Sequence, residues 1–279
     1  MTLESRSFRK INLGVYLEAK MKAIAVVLAV FVLTGLARGE GNIHTESIEY
    51  RHDGKTLEGF LAYDSALEGR RPGVLVIHEW RGLNDYARGR AKRLAGMGYV
   101  AFALDMYGKG VLAETSEEAA ALAGQFYGDR ALMRERAKAG LDILIDQEVT
   151  DTDRLAVIGF CFGGTTSLEL AMTGADLDGV VAFHAGLTLP DTSGLNDITG
   201  SVLILHGGKD PHVPEEDLVN LWQAMEAAGV EYQINIYGGA VHSFTNPDSG
   251  TDPSRGAAYD ETTAARSWAE MQGLFQEIF

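Results

Sequence analysis

Apolar positions along the chain fall into two alternating kinds of run. Residues 43–51 and 57–63 alternate polar and apolar around Asp53-Gly54, which predicts an opening antiparallel hairpin. Short, nearly continuous apolar runs follow at Gly73–Ile77, Tyr99–Leu104, 154–158, Val180–Phe183, Val202–Leu205 and Tyr232–Tyr237. Runs this short, rich in branched residues and bounded by glycine or polar breaks, predict strands buried on both faces. Between them lie stretches with helical spacing: Leu83–Met97, 115–127, 130–147, Thr165–Met172, Pro214–Ala228 (stopped by Gly229) and a long amphipathic segment over 255–277. Strands alternating with helices predict one mainly parallel sheet of about eight strands, with helices on both faces.

One of these breaks carries chemistry. The strand at 154–158 runs into Gly159-Phe160-Cys161-Phe162-Gly163-Gly164 and then into helix. This is the nucleophile-elbow pattern of the α/β-hydrolase plan, with cysteine where serine is usual. A lone cysteine is most often a small buried hydrophobe, but here small residues flank it on a strand-to-helix turn, and a helix N-terminus faces it. That positive dipole end favours a thiolate. Such a nucleophile needs a base and an orienting acid, which in this plan follow it in the order acid, then histidine. Asp210 follows the strand 202–205, and His242 follows the strand 232–237. Loops at strand carboxyl ends are where open α/β sheets build sites. The loop His78-Glu79-Trp80-Arg81-Gly82 follows the strand 73–77 and stands where an oxyanion hole is expected, with the backbone N–H groups of Trp80 and Phe162 as donors. Glu79 is a second acceptor for the thiol proton.

Two other readings compete. His78, His184, His206, His212 and His242 all fall near strand ends, which raises a metal-dependent hydrolase, yet no H-E-x-x-H or comparable spacing is present and no metal or other cofactor is expected. A noncatalytic ligand-binding protein on the same fold is the other, since fold does not dictate function.

Glu79, the Gly159–Gly164 elbow, Asp210 and His242-Ser243-Phe244 together resemble the dienelactone hydrolase (carboxymethylenebutenolidase) family, from about residue 45 to the C-terminus. The resemblance implies a lactonase or esterase with a Cys161-His242-Asp210 triad, a thioester acyl-enzyme and a part for Glu79 in thiol activation. It also implies a substrate pocket that includes Lys109, Phe183, His184, Ser243 and Asn246, and a monomer acting on a small ester or lactone. Lys109 and Asn246 stand where the dienelactone-cleaving member has two arginines that hold the substrate carboxylate. Lysine keeps the charge without the planar fork, and asparagine has none.

The 279 residues are 46% hydrophobic and carry a formal net charge of −15, enough for one large domain and ill suited to nucleic acid or anionic membrane. Near the N-terminus, Met21-Lys22, the apolar run Ala23–Leu33 and small residues to Ala37 fit a secretory signal peptide. Residues 1–37 are therefore expected to be an upstream extension and signal peptide, with the translation start open between Met1 and Met21, and 38–279 a single domain in the periplasm or secreted. An uncleaved membrane anchor is the alternative.

Overall fold

A computed structural model describes residues 42–279; the signal-peptide expectation lies outside them. The opening hairpin is β1 (Ile43–His52) and β2 (Lys55–Asp64), joined at Asp53-Gly54, both with positive φ as such a turn requires. Six further strands follow: β3 (Arg71–Ile77), β4 (Val100–Leu104), β5 (Thr150–Phe160), β6 (Gly179–Phe183), β7 (Ser201–Gly207) and β8 (Tyr232–Tyr237). They form one eight-stranded sheet in the order β1-β2-β4-β3-β5-β6-β7-β8. β1 and β2 pair antiparallel, β2 meets β4 antiparallel, and every later pairing is parallel. This is the α/β architecture expected from the pattern.

Helices α1 (Asp85–Gly96) and α6 (Glu261–Ile278) cover one face. Helices α2 (Ser116–Gly128), α3 (Arg130–Ile145), α4 (Phe162–Ala171) and α5 (Glu215–Ala228) cover the other. Each strand splits its side chains between the two cores with period two. In β3, Leu75 and Ile77 face the α2–α5 layer, and Val74 and Val76 face α1 and α6. Four helix starts are capped by local side chains: Asn84 for α1, a Thr115–Glu118 capping box for α2, Asp129 for α3 and Asp260 for α6.

Two boundaries differ from the sequence pattern for reasons that bear on function. The elbow helix begins at Phe162, immediately after Cys161, rather than at Thr165. The closing helix begins at Glu261, not 255. Pro253–Arg255 instead forms a short 3-10 helix that ends at the left-handed Gly256, and the Gly256–Ala258 stretch hydrogen-bonds the His242 backbone on both sides, with His242 N–H to Gly256 O at 3.2 Å and Ala258 N–H to His242 O at 3.0 Å. No helix among the described residues is long and apolar enough to cross a membrane.

Candidate active site

β5 ends at Phe160, and the chain reverses through Cys161 with φ 55° and ψ −116°, a strained conformation for a non-glycine residue. The glycines around it make the turn sterically feasible. A Cβ on Gly159 would lie 2.0 Å from the Gly163 oxygen, one on Gly163 2.3 Å from the Ile77 oxygen, and one on Gly164 2.7 Å from Ala185 Cβ. The elbow is thus pressed against the carboxyl end of β3, and the Cys161 N–H is held by Phe183 O at 3.0 Å. The thiol is partly exposed and lines a cavity of about 850 Å³, within the usual range for small-molecule sites.

His242 also lines this cavity. Its Nδ1 lies 2.7 Å from Asp210 Oδ2. Asp210 is buried, and its other oxygen accepts the His212 N–H at 2.9 Å, so the carboxylate has one orientation. Burial alone would lower the His242 pKa. Its interactions with Cys161 and with the Asp210 carboxylate outweigh it and hold the imidazole well above its ordinary value of 6.5.

Glu79 is buried beside this pair. Its Oε1 accepts the Ser243 hydroxyl at 2.8 Å, and its Oε2 accepts the Asn246 amide at 2.5 Å. Burial raises its pKa, and the two donors and the nearby His242 charge offset only part of that. Ser243 and Asn246 line the cavity and hold Glu79. Trp80 lines the cavity too, and Phe162 begins α4 directly after Cys161. Among the described residues, neither of their backbone N–H groups donates to a protein acceptor.

Three expected pocket residues are placed elsewhere. Asp105 Oδ1 accepts the N–H groups of Tyr107 and Gly108, and this turn carries the chain back over β2, where Lys109 N–H donates to Thr56 O. Lys109 consequently pairs with Glu49 at 2.6 Å and Glu58 at 3.1 Å, outside the cavity. Phe183 points to the α1–α6 face, stacked on Phe160 at 4.7 Å. His184 is fully buried beneath His242, with ring centroids 5.3 Å apart, and bonds Thr245 Oγ1 through Nε2 at 2.7 Å. Burial, then the His242 charge, hold its pKa well below 6.5, so it packs as a neutral ring. Thr245 also meets the Tyr86 hydroxyl at 2.6 Å, which ties the His242 loop to α1.

The structure adds cavity residues that sequence reasoning did not single out as such: Arg81, Tyr127, Arg130, His212 and Arg255. Arg81 is anchored on the carbonyls of Ala113 and Glu114, and Arg130 shares the buried Glu169 with Arg134. Arg81, inside the loop after β3, and His212, among the histidines near strand ends, had a local signal; the other three did not. No three or more His, Cys, Asp or Glu residues gather in a metal-holding group among the described residues.

Comparison with known proteins places the fold in a family. The model of the dienelactone hydrolase family matches residues 57–279. A chain from Aquifex aeolicus named "Putative carboxymethylenebutenolidase" is 26% identical, covering 83% of this chain and 97% of its own length. Protein usf of Aquifex pyrophilus is 28% identical, over 83% and 98%. A solved dienelactone hydrolase-like promiscuous phosphotriesterase from metagenomic libraries is 41% identical with TM-score 0.82, covering 86% of this chain and all of that one. The chain belongs to the dienelactone hydrolase family, and it is an α/β-fold hydrolase of the dienelactone-hydrolase-like kind.

Proposed function

We propose that this hydrolase cleaves a lactone or small carboxylic ester through a Cys161-His242-Asp210 triad. The observation that carries the reading is the 2.7 Å His242–Asp210 contact opening on the same cavity as a cysteine held at positive φ on a strand-to-helix elbow.

In the first half-reaction His242 Nε2 takes the thiol proton and the Cys161 sulfur attacks the carbonyl carbon. The carbonyl π electrons move to oxygen, where the Trp80 and Phe162 N–H groups hold the charge. Collapse breaks the carbon–oxygen ester bond, and the imidazolium gives its proton to the departing alkoxide. A thioester on Cys161 remains; from a lactone, the freed hydroxyl stays on the acyl chain. In the second half-reaction His242 draws a proton from water, the hydroxide attacks the thioester, and the sulfur leaves and is reprotonated. Asp210 keeps Nδ1 protonated and Nε2 free. Glu79 adds negative charge beside His242 and so favours the imidazolium that accompanies a thiolate. The 41% identity to a protein described as a promiscuous phosphotriesterase supports a phosphotriester as a second substrate, attacked by the same sulfur. Export to the periplasm or outside through the signal at 21–37 completes the reading.

Hydrolysis of p-nitrophenyl acetate by the wild type and by Cys161→Ala tests it, with mass spectrometry of the acylated protein. The expected result is activity lost in the variant and an acetyl group on Cys161. Equal activity in both proteins would remove Cys161 from the mechanism.

A further inference from the structure

The loop after β3 contains a histidine that the chemistry above leaves unused. His78 is fully buried, with both ring nitrogens engaged. Met106 N–H points at Nε2 at 3.2 Å, and Nδ1 lies 2.6 Å from Glu79 O. An amide N–H can only donate, so Nε2 is the acceptor and the proton sits on Nδ1, which donates to Glu79 O. Burial pushes the ring's pKa below 6.5, in keeping with this neutral tautomer.

The consequence lies on the other side of the same peptide. A trans peptide is planar, so its C=O and N–H point in opposite directions. Glu79 O is held by His78 and also by Gly82 N–H at 3.2 Å, which aims the Trp80 N–H away from them. Trp80 lines the cavity with Cys161. The next peptide is pinned too: Trp80 O accepts the Tyr107 hydroxyl at 3.0 Å, and the Tyr107 ring packs edge-on against His78 with centroids 4.9 Å apart. From beneath, the elbow crowds the loop, since a Cβ on Gly163 would lie 2.6 Å from His78 O.

We propose that His78 is a positioning residue for the oxyanion hole, fixing the Glu79–Trp80 peptide plane so that the Trp80 N–H is preorganised toward the developing oxyanion. This rests on the reading of Trp80 as a donor. Preorganisation matters because a donor that must rotate during reaction loses much of its value.

Two substitutions separate this role from simple packing. The asparagine amide overlays imidazole Nδ1, so His78→Asn keeps a donor for Glu79 O and loses the acceptor for Met106. The glutamine amide overlays Nε2, so His78→Gln keeps the acceptor and loses the donor. Steady-state hydrolysis of p-nitrophenyl acetate, Tm, and inhibition by a trifluoromethyl ketone, whose thiol adduct carries an oxyanion, are measured for both. The expected result is a kcat for His78→Gln about 10- to 100-fold below that of His78→Asn, with KM little changed and inhibitor affinity falling in step. That is less than the ~10²–10³-fold typical of deleting a donor outright. Equal kcat in the two variants, or losses that follow Tm alone, would overturn the proposal. Cys161→Ala run alongside keeps two failures apart. Activity surviving there overturns the thiol mechanism and the His78 role with it; activity lost there while His78→Gln matches His78→Asn overturns the His78 role alone.

Discussion

Asn246 donates its side-chain amide to Glu79 Oε2 at 2.5 Å, and it cannot turn over, because its Oδ1 accepts the Asp248 N–H at 3.0 Å. Ser243 occupies the other carboxylate oxygen. A buried acid beside His242 is therefore held by two neutral donors on the same loop that carries His242. Asn246, which the family resemblance of the sequence sets at the expected place of a substrate-binding arginine, holds Glu79.

The ionisation of Glu79 gives a stability prediction with a definite sign. Its folded pKa is raised above 4.5, chiefly by burial, so folding favours the protonated form. Its contribution is complete below the ordinary carboxylate range and is lost as pH rises through the raised value. Glu79→Gln removes that loss. The new carbonyl can accept from Asn246, and the Ser243 hydroxyl can rotate to accept from the new amide. The variant is expected to be more stable than wild type in alkaline buffer by on the order of 1 kcal/mol, about 2–4 °C in Tm, with the gap closing in acid. Hydrolysis should fall, since Glu79 no longer supports the imidazolium. Melting curves across pH decide it: a gap independent of pH would contradict the assignment of a raised pKa.

The opposite partner of His242 gives a second prediction. With its pKa raised, His242 contributes stability that is complete below its ordinary 6.5 and is lost as pH rises through the folded value. Asp210→Asn removes one source of that shift. The wild type should therefore exceed the variant in urea denaturation at neutral pH and lose that advantage in alkaline buffer. The kcat of the variant should drop by about 10³–10⁴-fold, since an asparagine no longer enforces the tautomer that leaves Nε2 free. A variant with near-normal kcat would show that Asp210 does not orient His242.

How far the sequence carried these conclusions depended on what kind of information each feature needs. The sheet, the elbow and the placement of Asp210 and His242 after β7 and β8 depend on period and order along the chain, and both were legible. The Gly229 stop of α5 was equally local. Lys109 was misplaced because its direction is set by a side-chain-capped turn at Asp105, not by its distance from β4. Phe183 was misplaced because a parallel strand is apolar on both faces, so alternation does not say which face meets the cavity. Arg130 and Arg255 reach the cavity from α3 and from the segment before α6, a convergence in space with no spacing signature.

The placement of Lys109 can be checked directly. Its ammonium is tied to Glu49 and Glu58 on the β1–β2 hairpin. Lys109→Ala should leave kcat/KM for neutral and anionic esters within about twofold of wild type, because exposed ion pairs of this kind contribute little and the side chain is outside the cavity. A selective loss toward anionic esters would return Lys109 to the pocket.

The elbow's packing gives the sharpest contrast, between two glycines that the sequence alone does not rank. Gly163 lies in the first turn of α4, and a Cβ there would sit 2.3 Å from Ile77 O and 2.6 Å from His78 O. Both contacts are backbone, one at the end of β3 and one in the loop that carries Trp80, so neither can swing aside as a long side chain would. Gly163→Ala must push α4 away from β3, and it should cost about 2 kcal/mol or more and take most of the activity with it. Gly89 lies inside α1, where a Cβ meets nothing within 4 Å. There alanine only reduces the conformational freedom of the unfolded chain and improves helix propensity, so Gly89→Ala should stabilise by about 0.5–1 kcal/mol with activity unchanged. Guanidinium denaturation and p-nitrophenyl acetate turnover on the two variants test the pair. Opposite signs in stability, with activity lost only in Gly163→Ala, are the outcome that close approach of the elbow to the β3 loop requires; a harmless Gly163→Ala would mean that the elbow and that loop stand further apart than described.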